Sequence, residues 1–475
     1  MSDPREKRQV VILHGWSDTS KSFRPLAAFL ESNGFVAKDI WLGDYISMDD
    51  DVRIADVGKR MGQVIDEMIA GHRLAPGFDL IVHSTGGLVA REWLTTRYRG
   101  MAGACPMKRL VMLAPANYGS KLAAAGKSML GRIVKGYDHW FHTGKAMLDD
   151  LELSSPYQWE LAQRDILIPP GTADGERYYG EDAVWPFVIS GTHPYSDLLR
   201  QIANENGGDG TVRVCAANLN ARGITLDFRK DRDFVRFWES RLEDAAIPLA
   251  VLPTRTHASI VDPERVDAVE AGIPETGEER ATLGRLILKA LGCRDFREYR
   301  EIAEAWESLS ERTAALSRGR PEEEIYHQYM QANFHVTDDF GLAVNDYFIE
   351  FFSNTEKRND AANVYLHRQV IEDVKINSTD PSRRNLYIDR TDLVGNYYPM
   401  VPGEALYLSI SAASPGKNIR YFEREQVGAE QQVPVHGPAG ARWLRRNSTH
   451  FVRIIVPRIP AESVFTLARF REPSP

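Results

Sequence analysis

Through about residue 260 the chain alternates short apolar runs with longer stretches whose apolar residues recur every three or four positions. Val10 to Leu13, Val36 to Trp41, Asp79 to Val82, Leu110 to Leu113, Trp185 to Ser190 and Ile247 to Leu252 read as strands buried on both faces. Between them, Phe23 to Ser32, Ile54 to Ala70 and Gly87 to Arg97 have helical spacing; in the second, Val57, Met61, Val64, Ile65 and Met68 form one apolar stripe. Such alternation predicts an α/β unit built on a mainly parallel sheet.

The rhythm breaks from Lys121 to about Asp182, where Leu122, Met129, Ile133, Trp140, Phe141, Met147, Leu148, Leu151 and Leu153 lie among lysines and glycines. This predicts a helical insertion over 121–182 with no strand of its own. Helical spacing returns from about Glu278 to Ser317, and Arg318-Gly319-Arg320-Pro321 followed by three glutamates reads as a linker. Beyond it, Asn333 to Thr337, Val344 to Phe352, Asn385 to Ile388, Ala405 to Ala412, His450 to Val456 and Ser463 to Phe470 are strand-like runs separated by turn signals, which predict a β-sandwich-like domain. The expected organisation is an α/β unit over 1–275, a helical connector over 276–320 and a β-rich domain over 321–475.

A length of 475 residues suits this division, since domains are commonly about 50–250 residues. The net charge of -8 argues against a general polyanion binder, so nucleic acid is not an expected partner. Cys105, Cys215 and Cys293 are far apart and lack CxxC spacing, which leaves neither a disulfide framework nor a zinc knuckle. The charged start followed by a short apolar run is unlike a signal peptide, and no run of about 18 apolar residues occurs. The expectation is a cytoplasmic protein; export without a cleaved signal would leave the same picture.

The chemistry concentrates in Asp79-Leu80-Ile81-Val82-His83-Ser84-Thr85-Gly86-Gly87-Leu88-Val89-Ala90-Arg91, a strand that stops at a serine and restarts as a helix. That is the layout of a nucleophile elbow, with Gly86 and Gly87 as the small residues a tight turn needs. The first glycine of G-x-S-x-G is here Val82, which predicts a re-angled strand end; the competing reading is a structural serine. Upstream, His14-Gly15-Trp16 ends the first strand, so the Trp16 N–H with the Thr85 N–H would form an oxyanion hole. An elbow carries a chain order of nucleophile, acid, histidine. Asp209 in Gly207-Gly208-Asp209-Gly210 is the candidate acid, against a plain Asp-Gly loop or a calcium turn. His257, on a loop after an apolar strand, is the candidate base, against a solvent-facing histidine; His193 precedes Asp209 and breaks the order. His83 reads as an orienting or packing residue. Asp338, Asp339 and Asp346 read as solvated turn acids, against a calcium site, and no metal or cofactor is expected.

Residues 10 to about 262 resemble an α/β-hydrolase of the lipase and phospholipase type, similar to bacterial lipases and the lecithin:cholesterol acyltransferase group. The resemblance rests on HSTGGLVAR around Ser84, close to the family's HSMGGLVAR, on Leu113-Ala114-Pro115-Ala116-Asn117-Tyr118-Gly119-Ser120, and on Gly208-Asp209-Gly210-Thr211-Val212. It implies a lid for the 121–182 insertion and an acyl-ester or lipid substrate. The lysines and apolar residues of that insertion permit peripheral membrane contact through the cap, or an ordinary helical cap. An acyltransferase, a small-ester esterase and a non-catalytic binding protein of the same fold stay open as alternatives, as does the oligomeric state.

Overall fold

In the computed structural model the described residues are 9–15, 20–36, 40–46, 49–123, 144–173, 175–196, 204–230, 234–242, 246–266, 269, 272, 274–276, 279–317, 323–353, 360–404, 406–421, 433–434 and 444–467. The first sheet has six strands in the order Leu249–Leu252, Trp185–Gly191, Met107–Leu113, Phe78–His83, Val10–Leu13 and Ile40–Gly43, all parallel. Because successive side chains in a strand point to opposite faces, Leu80 and Val82 enter one core and Ile81 the other. The first core is covered by the helices Ile54–Ala70 and Gly86–Arg97 through Val57, Ile65, Leu88 and Trp93. The second is covered by Arg24–Ser32, Leu283–Gly292 and Phe296–Ala314, which contribute Leu26, Leu30, Leu286, Ile302 and Trp306. The two helices expected to be a connector therefore form one wall of the parallel sheet. The longer of them is started by Asp295, whose carboxylate accepts the Glu298 N–H at 2.8 Å.

A second, mixed sheet runs Ile371–Ile376, Arg383–Asp389, Tyr329–Asp338, Ser448–Val456, Arg222–Asp227 and Val235–Phe237. It faces a three-stranded antiparallel sheet of Tyr347–Phe352, Tyr407–Ala412 and Val433–Pro434 across one shared core that includes Leu226, Phe334, Phe351, Leu408 and Val452. The strands 222–227 and 235–237 lie in the chain within the α/β segment, yet complete this second sheet, so the two units are laced together. The sequence pattern predicts no strand there.

Other differences are local. The second strand of the parallel sheet starts at Ile40 rather than Val36. The insertion contains a two-residue strand, Leu167–Ile168, paired with Glu239–Ser240, where none was expected. Its helices Lys145–Leu151 and Pro156–Asp165 pack between the two units, with Trp159 edge-on to Trp238 and Phe451. The rest of the expected cap, 124–143, lies outside the described residues. The expected strand over 463–470 is a single turn, Glu462–Val464, followed by chain with no regular element to residue 467. Among the described residues no helix is long and apolar enough to cross a membrane.

Candidate active site

The elbow grows out of the strand Phe78–His83, all six of whose residues are buried. Pairing with Leu13 and Met112 on either side of Val82, and of His83 with Leu113, keeps its end in register. Ser84 then takes φ +54°, in the left-handed region, and Thr85 is already helical at φ -57°, ψ -26°. A non-glycine residue held there costs about 1–3 kcal/mol. Its backbone is held by Ser84 N–H to Leu113 O (3.1 Å) and by Ala116 N–H to Ser84 O (3.2 Å).

Neighbouring glycines make the turn sterically available. A β-carbon on Gly15 would lie 2.6 Å from Ser84 Cβ, one on Gly86 would meet His14 O at 3.1 Å and Val82 Cβ at 3.3 Å, and one on Gly87 would meet Pro115 Cβ at 2.9 Å. Gly86 thus supplies the clearance that Val82, standing where the elbow pattern has glycine, does not.

His257 follows the edge strand Leu249–Leu252. Its Nε2 lies 2.9 Å from Ser84 Oγ and its Nδ1 lies 2.7 Å from Asp209 Oδ2. Because a carboxylate only accepts, the imidazole proton sits on Nδ1 and Nε2 is left to accept from the serine hydroxyl. The other Asp209 oxygen accepts the N–H groups of Thr211 (3.0 Å) and Val212 (2.8 Å). Asp209 is fully buried, while Ser84 and His257 keep only 6% and 8% of their surface exposed.

The histidine is anchored through its backbone as well: His257 N–H donates to Asp209 O at 2.9 Å, and His83 Nε2 donates to His257 O at 3.0 Å. His83 also lies obliquely against the His257 ring, 4.6 Å between centroids. His14 has a different task. Its Nε2 accepts the Tyr45 N–H at 2.9 Å and its Nδ1 donates to Gly15 O at 2.5 Å, with its ring flat on Tyr45. It braces the turn that passes Ser84. Thr85 heads the helix Gly86–Arg97, so its N–H belongs to the positive end of that helix. Trp16 lies outside the described residues.

Of the buried arginines among the described residues, three adjoin the proposed site segments and have no role in the motif reading. Arg91, the last residue of HSTGGLVAR, makes a two-pronged pair with Asp165 (2.7 and 3.0 Å) and donates to Asn117 O at 2.9 Å, tying the elbow helix to the 113–120 segment. Arg255, two residues before His257, donates to the carbonyls of Ser259 (3.0 Å), Asp262 (2.8 Å) and Arg265, so the histidine loop winds around one guanidinium.

Arg213, just after the acid turn, lies between the rings of Tyr329 and Tyr387, 4.4 and 4.1 Å from their centroids, and bonds Glu372 at 2.8 Å. Burial alone would lower its pKa, but Glu205, Tyr387 and Glu372 raise it above the usual arginine value. The one available signal was placement: an arginine next to each proposed site segment in a chain whose acids outnumber its bases.

The alpha/beta hydrolase family model matches residues 10–269. Phospholipase PlaB from Legionella pneumophila, solved in complex with thio-NAD, superposes with a TM-score of 0.78 at 24% identity, covering 99% of this chain and 98% of that one. A second structure of the same Legionella phospholipase PlaB gives 0.77 at 24% identity, covering 98% and 97%. The mature lipase BlEst2 of Bacillus licheniformis is similar over 55% of this chain and 89% of its own, at 14% identity and a TM-score of 0.36. No curated protein sequence matches the chain. The likeness to PlaB extends the shared fold through the C-terminal sheets, and the family model spans more than half of the residues: the chain belongs to the alpha/beta hydrolase family.

Proposed function

We propose that the protein is a serine carboxylic-ester hydrolase that cleaves acyl esters of lipids through an acyl-enzyme on Ser84. The observation that carries this reading is the unbroken line from Ser84 Oγ to His257 Nε2 (2.9 Å) and from His257 Nδ1 to Asp209 Oδ2 (2.7 Å). In it, His257 Nε2 takes the hydroxyl proton as Oγ attacks the ester carbonyl carbon. Asp209 keeps the other proton on Nδ1 and stabilises the imidazolium. Collapse of the tetrahedral intermediate breaks the bond to the alcohol, which leaves with the proton from Nε2. Water, deprotonated by the same nitrogen, then releases the acid and restores Ser84.

The Thr85 N–H is one donor to the oxyanion, and the Trp16 N–H is the proposed second; a single such donor is worth about 100-fold to 1000-fold in turnover. Thr85 stands at the head of the elbow helix, where the charge develops. The lipid part of the proposal is supported by the full-length likeness to a protein named as a phospholipase and by the apolar residues of the 121–182 insertion, through which the cap would touch acyl chains or a membrane surface.

A fluorophosphonate probe tests the nucleophile: wild type should label and Ser84→Ala should not, and equal labelling of both overturns the assignment. Turnover on short and long p-nitrophenyl esters and on phospholipids tests the substrate, with a steady fall in rate as the acyl chain lengthens pointing to a small-ester esterase. Product analysis with an added alcohol separates hydrolysis from acyl transfer.

A further inference from the structure

Away from Ser84 a cavity of about 580 Å³ opens where three distant segments meet: 218–222 behind the acid turn, the helix Phe296–Ala314, and the loop 444–448. Its volume falls within the roughly 300–1,000 Å³ of small-molecule sites. Among the described residues its lining contains four arginines, Arg222, Arg390, Arg445 and Arg446, and a single carboxylate, Glu307. That carboxylate is bonded to Arg446 at 2.8 Å, and Glu311 also pairs with Arg446. Among the described residues no carboxylate pairs with Arg222, Arg390 or Arg445. Glu243 and Asp244, near the lining in sequence, lie outside the described residues.

The contrast with the structural arginines is sharp. Arg91 and Arg213 are each matched by an acid within 3.0 Å. Here partial burial and the proximity of Arg445 lower the pKa of Arg222, and partial burial with Arg446 and Arg445 lowers that of Arg390. The guanidinium groups that line the cavity therefore repel one another, a cost that an anion would relieve. The walls are also already braced. Asn218 Nδ2 donates to Asn447 O at 2.6 Å, Asn220 exchanges two hydrogen bonds with the Ile247 backbone at 2.9 Å, and Ser448 Oγ donates to Asn220 O at 2.6 Å.

We propose that this cavity binds a phosphate-bearing anion, carried by a small solute or by a lipid headgroup. Several guanidinium forks match the oxygens of a phosphomonoester or diphosphate better than a single carboxylate, because each fork takes two oxygens and the summed charge calls for more than one negative charge. Occupancy would brace the segment just behind the acid turn, since Thr449 Oγ1 on the loop side already donates to Cys215 O at 2.9 Å.

The test uses the full chain with inorganic pyrophosphate, followed by calorimetry and thermal shift against chloride at equal ionic strength. Saturable binding that weakens at least tenfold in Arg222→Gln/Arg390→Gln supports a solute. Cosedimentation with phosphatidic acid vesicles but not phosphatidylcholine vesicles, lost in the same variant and without a pyrophosphate effect, supports the headgroup. Circular dichroism and ester turnover of the variant should equal wild type. No response beyond that of chloride in either arm, or a response undiminished in the double variant, overturns the site.

Discussion

Ser84 and Asp209 reach the same imidazole from two kinds of support. Ser84 stands at the end of a strand paired in parallel on both sides, inside a sheet whose faces are both covered. Asp209 sits in a glycine turn off that sheet, and much of what holds the turn comes from beyond residue 320. Gly207, at φ +66°, lies so close to Tyr329 that a β-carbon would meet the ring at 2.2 Å. Asn206 Nδ2 donates to Glu324 at 2.7 Å, and Arg213 is clamped between Tyr329 and Tyr387. The proposed nucleophile thus depends on the parallel sheet, and the proposed acid depends also on its contact with the C-terminal region. In this molecule that region is a wall behind the proposed site.

The largest effects test whether the two supports serve one chemical unit. Ser84→Ala should lower ester turnover by at least about 10⁴-fold, and Asp209→Asn by about 10⁴-fold, with circular dichroism unchanged in both. If the residues act together, the double variant should be little worse than Ser84→Ala alone. Multiplying losses would break the single-unit reading, and a nearly active Asp209→Asn would mean that another carboxylate orients His257.

Arg213 separates the supports. Arg213→Ala removes one partner of a buried ion pair and opens the aromatic clamp, which should cost about 3–5 kcal/mol in denaturant unfolding. If the clamp positions the acid turn, kcat should fall more than KM rises. Arg213→Lys should restore the charge but only part of the activity, because an ammonium does not stack between two rings as a planar guanidinium does. A variant with normal kcat and only reduced stability would limit the C-terminal contact to folding.

The same contrast explains what could be read from the chain. The elbow was legible because its requirement is local: a strand, one serine, and small residues within three positions. Asp209 and His257 stand out as candidates through chain order and through the glycine turn and strand that precede them. The supports were not. Nothing near Arg213 in sequence shows that Tyr329 and Tyr387, more than a hundred residues away, will enclose it. Likewise Arg222–Asp227 carries Ile224 and Leu226 on one face, a pattern too short to show that it would leave the parallel sheet and pair with Ser448–Val456. Even the connector helices revealed their apolar stripes but not the sheet face they would cover. Periodicity reports that a face is buried; the partner is a long-range fact.

The smallest expected effect asks which support yields first in acid, and it rests on His335 in the second sheet. Burial, then the neighbouring Arg383, and to a lesser extent Arg453, push its pKa from 6.5 down to about 3, against an opposing pull from Asp380 that is weaker than that of Arg383. Its ring meets Trp159 edge-on at 5.5 Å, so it lies where the cap helix joins the C-terminal sheet. A histidine with a depressed folded pKa takes up its proton more readily when unfolded. Its stabilising contribution is therefore complete above about pH 6.5 and is lost as pH falls from there toward 3, with a limiting slope of about 1.4 kcal/mol per pH unit. Urea unfolding of wild type at pH 7.5 and pH 5 should show this loss, and His335→Gln should flatten it. If the variant retains the full wild-type slope, the acid sensitivity arises elsewhere. If the slope flattens and activity in acid is also preserved, the junction of the cap helix with the C-terminal sheet limits the protein at low pH, while Ser84 stays fixed on its sheet.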